Sequence, residues 1–329
     1  MTTLRRHLSS LEQLLVFGAI ALFLGILSFF EFYQFEAWGQ VTLMYSYNAP
    51  FADLIDHPHF YRYLITYPGL WVADYLGYSL FSVYITFFVI GTGFIIYKIF
   101  KDLDRKYLFY ALILIMPYHA LMNGRGALSW FGWVLAIFII RLPYTKKFGA
   151  WEGVLVGLSL LTASVSSGTF AVTFSALIIG ALHRLWLTKD VKLGLTLAIV
   201  IILFSNYFII SFTKNIEFYE YGSENVVVNM LDHGLGGMLS QSWAILIVLM
   251  IIFVLAPLLL NFLFRHIGFR EMIVLAAPTM GGLFGFTTLT LVVPAYVILL
   301  LIFLGERSNY RRRFFDNREA TLRRQVVAA

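Results

Sequence analysis

Ten stretches of mostly apolar residues constrain this chain more than any motif in it. They fall at roughly 13–35, 78–99, 107–122, 126–140, 150–165, 169–187, 194–213, 243–264, 271–285 and 288–304. A helix needs about 20 apolar residues to cross the hydrocarbon of a bilayer. Composition agrees: 60% of the 329 residues are hydrophobic and 13% are charged, with a mean hydropathy of +0.80. Soluble domains are about 45–50% apolar and about 25% charged. The expected fold is therefore an all-α polytopic membrane protein of about ten transmembrane helices, forming one domain over 1–329. There is no cysteine, which removes disulfides, zinc–thiolate sites, iron–sulfur clusters and thiol nucleophiles. The first stretch follows Arg5, Arg6 and His7 and has no small-residue cleavage site, so it is expected to remain as the first span.

Charge placement gives an orientation. Basic residues collect on the cytoplasmic side of membrane proteins. With both termini placed there, as an even span count requires, only Arg62, Arg125 and Lys214 of the 24 basic residues fall on the outer side. Seven of the others, from Arg307 to Arg324, form a basic tail over 306–329 that suits anionic headgroups. Two outer segments are long, 36–77 and 214–242.

The third and fourth spans form an unusually short hairpin. Between Lys106 and Arg141 the chain must cross and return in 34 residues, about 17 per arm, or about 25 Å of helix at 1.5 Å per residue. The turn Asn123-Gly124-Arg125 is thus expected at or below the headgroups, where a charge faces a cavity or a partner. Its alternative is a guanidinium that snorkels to a lipid phosphate. His119 precedes the turn by about one helical turn. The fifth and sixth spans read as a second pair of short arms around Ser164, Ser166, Ser167, Gly168 and Thr169. Hydroxyls and backbone N–H groups at a helix start suit anionic oxygens, or they satisfy only the helix break itself. A further interruption at Pro278-Thr279-Met280-Gly281-Gly282 reads as a kink without a chemical role.

The three outer cations are suited to a phosphorylated lipid, since arginine can grip two phosphate oxygens at once. Asp53, Asp56, His57, His59, His119 and His233 are the outer groups able to move a proton, although a lone histidine is more often a hydrogen-bonded structural residue. His57 and His59 beside the two aspartates lack the helical spacing of a metal site. Tyr45, Tyr47, Tyr61, Tyr63, Tyr67 and Trp71 share the first outer segment with carboxylates; they suit sugar rings or an interfacial belt.

This layout resembles the bacterial polysaccharide polymerases of the O-antigen (Wzy-type) and EpsG-like kinds. The matching features are an Asp-containing first outer loop followed by a Tyr/Pro/Gly stretch (Asp53 to Gly77), the Asn123-Gly124-Arg125 turn, and a late loop with Asp232-His233-Gly234. The length is closer to the EpsG-like group, and the large late loop of many relatives is reduced to 214–242. The resemblance implies transfer of a glycan from an undecaprenyl-diphosphate-linked donor to a lipid-linked acceptor at the outer face of the bacterial inner membrane. It implies no cofactor or metal, membrane lipids and other polysaccharide-assembly proteins (a chain-length regulator among them) as partners, and no nucleic acid. In that scheme Arg125, with Arg62 or Lys214, binds the donor diphosphate. His233 or Asp53 orients or deprotonates the acceptor, and Asp56, His119, Asn123, Ser166 and Ser167 line the substrate site. Two other classes remain open from the residues: a polyprenyl-phosphate-sugar glycosyltransferase with Asp53 or Asp56 as base, and a lipid or glycan transporter. A non-enzymatic scaffold is a third.

Overall fold

A computed structural model describes residues 60–76, 80–120, 124–220, 268–282 and 291–306. All secondary structure among them is helical. In chain order the helices are α1 (Phe60–Leu76), α2 (Leu80–Phe100), α3 (Arg105–Ala120), α4 (Gly124–Ile140), α5 (Ala150–Ala163), α6 (Ser167–Thr188), α7 (Val191–Glu220), α8 (Phe269–Gly282) and α9 (Val292–Glu306). By length and composition, Ser167–Thr188 and Val191–Ile210 could each cross a membrane. Eight of the ten expected spans coincide with α2 through α9 to within a few residues, except that α7 runs on to Glu220; those at 13–35 and 243–264 lie outside the described residues. The two short hairpins differ: α3 and α4 have 16 and 17 residues, whereas α5 has 14 and its partner α6 has 22. Helix α8 continues through Pro278 to Gly282, with Thr279 Oγ1 donating to the Leu275 carbonyl.

Helix α4 is the axis of the bundle. Every residue from Ala127 to Ile137 is buried, as expected for a helix apolar on all sides. Phe131 meets Phe88 and the Cα of Gly91 on α2, Trp130 lies against His119 of α3, and Ile140 faces Gly180 of α6. The closest approach is at Gly132, against α5. A Cβ there would stand 2.7 Å from the Ser159 carbonyl oxygen and 2.9 Å from the Ala163 nitrogen. Ser159 Oγ also donates to the Gly132 carbonyl at 2.6 Å.

One end of the bundle is closed by arginines. The loop that leaves α4 carries carbonyls outside any helix, and such groups need donors from elsewhere when buried. Arg184 of α6 donates to those of Leu142 and Pro143 at 3.2 and 3.1 Å, and to that of Lys146. Arg270 of α8 adds a bond to Leu142 O at 3.1 Å and covers the Tyr144 ring at 4.2 Å. Arg141 pairs with Glu271 of α8 at 2.6 Å and reaches Glu306 of α9 at 3.7 Å. Here α6 ends on Lys189, in the left-handed region (φ 51°). Asp190 then caps α7, accepting from Lys192 N at 3.0 Å and Leu193 N at 3.4 Å, and also from Phe148 N at 3.0 Å.

The outer face of α7 is apolar. Val191, Leu195, Ile199, Ile202 and Ile209 recur at helical spacing, with Ile202 74% and Ile209 60% exposed. Hydrocarbon would cover such a stripe as water does not. Residues 60–76, read as part of an outer segment, form a packed helix. Tyr63, Thr66 and Leu70 are buried, and the Tyr84 hydroxyl of α2 donates to the Ile65 carbonyl.

Two outcomes follow for the purified chain. Gly132→Val should lower stability by about 1–3 kcal/mol through overpacking, while Gly157→Ala, inside α5 with nothing within 4 Å of its Cβ, should raise it by about 0.4–1 kcal/mol. Asp190 has its pKa pulled below the usual 3.8 by the Phe148 N–H and by those of Leu193 and Lys192. Its stabilisation is therefore complete above the unfolded-chain value and lost as pH falls toward the depressed folded one. Melting curves between pH 6 and pH 3 should show an acid-side loss that is smaller in Asp190→Asn.

Candidate functional site

The opposite end of the bundle, where α5 turns into α6, holds Arg62, Arg125, Ser166 and Ser167 of the sequence candidates. Because α4 and α5 are antiparallel, as are α5 and α6, helices α4 and α6 run parallel and both begin there. The register is fixed by the Ile140–Gly180 contact (3.2 Å to a Cβ built on the glycine). Ser166 is the N-cap of α6, 2% exposed, with no hydrogen bond from its side chain to the helix. Ser167 is the first residue of α6. Arg125 stands in the first turn of α4.

Arg62 reaches the same end from α1. Tyr61 beside it stacks on Phe204 of α7 at 4.8 Å and meets Tyr207 edge-on at 5.0 Å. The Tyr207 hydroxyl donates to the Ser164 carbonyl at 3.0 Å, tying α7 to the α5–α6 turn. Phe170 completes the aromatic group, 4.8 Å from Tyr207. The Arg62 guanidinium lies near the phenols of Tyr207 and Tyr63, and its buried Nε has no hydrogen-bond partner among the described residues. Lys214 follows Tyr207 by seven residues on α7, which carries it about 10 Å further toward and past this end.

His119 has a packing role. Its Nε2 lies 2.8 Å from the Ala127 carbonyl and its ring lies 5.4 Å from that of Trp130. A carbonyl only accepts, so Nε2 carries the proton and Nδ1 is the bare nitrogen. The imidazole thereby joins the two arms of the α3–α4 hairpin. Asp53, Asp56, Asn123 and His233 lie outside the described residues.

The structure adds residues that the sequence reading passed over. Tyr207 is one. Ser129 and Trp133 on α4 and Thr173 on α6 are others; with Thr169, already noted in the turn, all four are fully buried, and Ser129 Oγ, Trp133 Nε1, Thr169 Oγ1 and Thr173 Oγ1 have no hydrogen-bond partner among the described residues. A buried polar atom left so costs about 1–3 kcal/mol. The i, i+4 spacing of each pair was available as a signal, but only the parallel register of α4 and α6 gives it meaning. Chemically, this end offers one partly buried cation, two parallel helix starts that favour negative charge, and a set of hydroxyls. The arginine end differs, because Arg141, Arg184 and Arg270 are engaged by carboxylates and carbonyls.

Tyr207→Phe should cost about 1 kcal/mol in thermal unfolding, because the Ser164 carbonyl loses its donor. No family model, curated protein or solved structure matches the chain.

Proposed function

We propose that the chain is a multi-pass enzyme of the bacterial inner membrane, of the polysaccharide-polymerase kind, with about ten spans and both termini cytoplasmic. It transfers a glycan from an undecaprenyl-diphosphate-linked donor to a lipid-linked acceptor, at the outer face. One observation carries the reading: Arg62 and the first turns of α4 (with Arg125) and α6 (with Ser166 and Ser167) lie at one end of the bundle. The arginines at the opposite end are engaged in closing the fold.

The chemistry follows from charge. The anomeric carbon–oxygen bond of the donor breaks as the acceptor hydroxyl attacks, and negative charge develops on the departing diphosphate. Cations and helix starts held at that position stabilise the charge more than they stabilise the bound donor. Arg125 and Arg62 take that role here, with Lys214 as a further cation. The acceptor proton goes to an outer-segment base, Asp53 or His233. Asn123, Asp56 and the Ser166–Ser167 turn bind the substrate.

The test is mass spectrometry of lipids that co-purify with the gently solubilised chain from its own host, with polymer formation measured beside it. A polyprenyl-diphosphate oligosaccharide is expected, bound by the unaltered chain and lost in Arg125→Ala together with at least a hundredfold of activity, roughly the effect of one oxyanion-stabilising donor. Full activity in a normally folded Arg125→Ala protein would sink the mechanism. A polyprenyl-monophosphate sugar instead would move the assignment to single-sugar transfer with an aspartate base.

A further inference from the structure

We propose that the seam between α4 and α6 is a water-binding site: a short column of ordered water within the bundle, which gives the hydroxyl end a polar floor. The proposal is independent of the glycan reading.

The facing of the two helices places the four unpartnered groups together. At 3.6 residues per turn, Ser129 and Trp133 lie within about 20° of Ile140 around the α4 axis. Thr169 and Thr173 lie within about 20° of Gly180 around the α6 axis by the same spacing. Ile140 faces Gly180, so both pairs lie on the stripe where α4 and α6 meet. The parallel register sets Ser129 level with Thr169, and Trp133 level with Thr173. The other described contacts of α4 lie off this stripe: Phe131 points to α2, Trp130 to α3 and Gly132 to α5.

The hydroxyl of Thr173 has a local alternative that it does not take. Thr66, Thr92, Thr162, Thr188, Thr196 and Thr279 each donate to the carbonyl four residues earlier in their own helix. Thr173 has such a carbonyl at Thr169 within α6, yet its hydroxyl makes no such bond. For Thr169 the corresponding residue, Val165, precedes the helix. The Trp133 indole can only donate, while the three hydroxyls both donate and accept. The one small species that accepts from the indole and then serves hydroxyls in either sense is water.

Close approach of the two helices favours water over a sugar. Below Trp133 and Thr173 the stripe continues through Ala136 and Ala176 to Gly180, all buried, and small residues let helix backbones approach closely. A water needs only about 10–15 Å³ of probe-occupied space and two to four polar partners.

The test is hydroxyl-radical footprinting by synchrotron pulses on the full chain in nanodiscs, in ¹⁸O-labelled water. Radicals formed from bound water label the side chain beside them. Trp133 and Trp130 are both fully buried, so bulk access does not distinguish them. Trp133 should be labelled at least threefold faster than Trp130, and equal or slower labelling would overturn the proposal. Thr173→Val, of nearly equal shape, gives a second reading by sign. In a hydrated seam it removes a partner from the water and lowers the melting temperature by about 2–4 °C. In a dry seam it deletes an unsatisfied hydroxyl and raises it, which would also refute the site.

Discussion

The arrangement depends on how α4 ends. The loop that leaves this buried helix carries carbonyls outside any helix, and two arginines from separate helices supply donors to them. Arg184 comes from α6 and Arg270 from α8, and both reach the Leu142 carbonyl. Arg141 then binds the carboxylates of α8 and α9. Four helices are thereby fixed at one level of the bundle. A buried ion pair adds little net stability when its desolvation is counted, but it fixes geometry, because each partner is costly to leave alone. The clamp positions α4, and α4 in turn orders α2, α3, α5 and α6 around itself.

This has a consequence for the other end. With the arginine end closed, the other end is held by packing, with Gly132 close against α5, and by the bonds from Ser159 to the Gly132 carbonyl and from Tyr207 to the Ser164 carbonyl. Aromatic stacking of Tyr61, Phe170, Phe204 and Tyr207 brings in α1 and α7. Apolar packing is non-directional, so it can hold a polar turn in place without occupying its hydroxyls. Thr169 beside Phe170 illustrates the division: the phenyl ring packs on α7, and the hydroxyl has no protein partner among the described residues.

Much of the helix layout was legible in the sequence, because a continuous apolar run is a strong signal that tolerates errors of a few residues. Helix α1 was not. Arg62, Pro68 and Asp74 interrupt its hydropathy, and seventeen residues are few for a span. Its buried positions, Tyr63, Thr66 and Leu70, nevertheless keep helical spacing. The chemistry was legible only in part. Arg62, Arg125 and Ser166 stood out as polar residues in an apolar chain, and the fold gathers them at one end. Hydrogen bonds cannot be read in that way. His119 was legible as a titratable side chain, but its bond to the Ala127 carbonyl, eight residues away across a turn, was not. Ser129, Trp133 and Thr173 looked like ordinary span residues, since nothing in one helix tells which neighbour its stripe will face.

The contrast between the two ends bears on function through the cost of charge. A guanidinium at membrane depth must be paired, hydrated or aimed at an anionic ligand. Arg141, Arg184 and Arg270 meet that condition with carboxylates and carbonyls from the chain itself. At the hydroxyl end, Arg62 has phenols nearby and, among the described residues, no ion pair; its Nε is unpartnered there, as is that of Arg184. Phenols accept weakly and carry no charge near neutrality, so they orient a guanidinium without neutralising it. Two parallel helix starts add positive potential in the same place. Positive groups gathered together repel one another, and that repulsion is relieved when an anion is bound. A diphosphate relieves it further as its charge grows on departure. Under the reading proposed above, the same arrangement would bind such a donor and favour its cleavage.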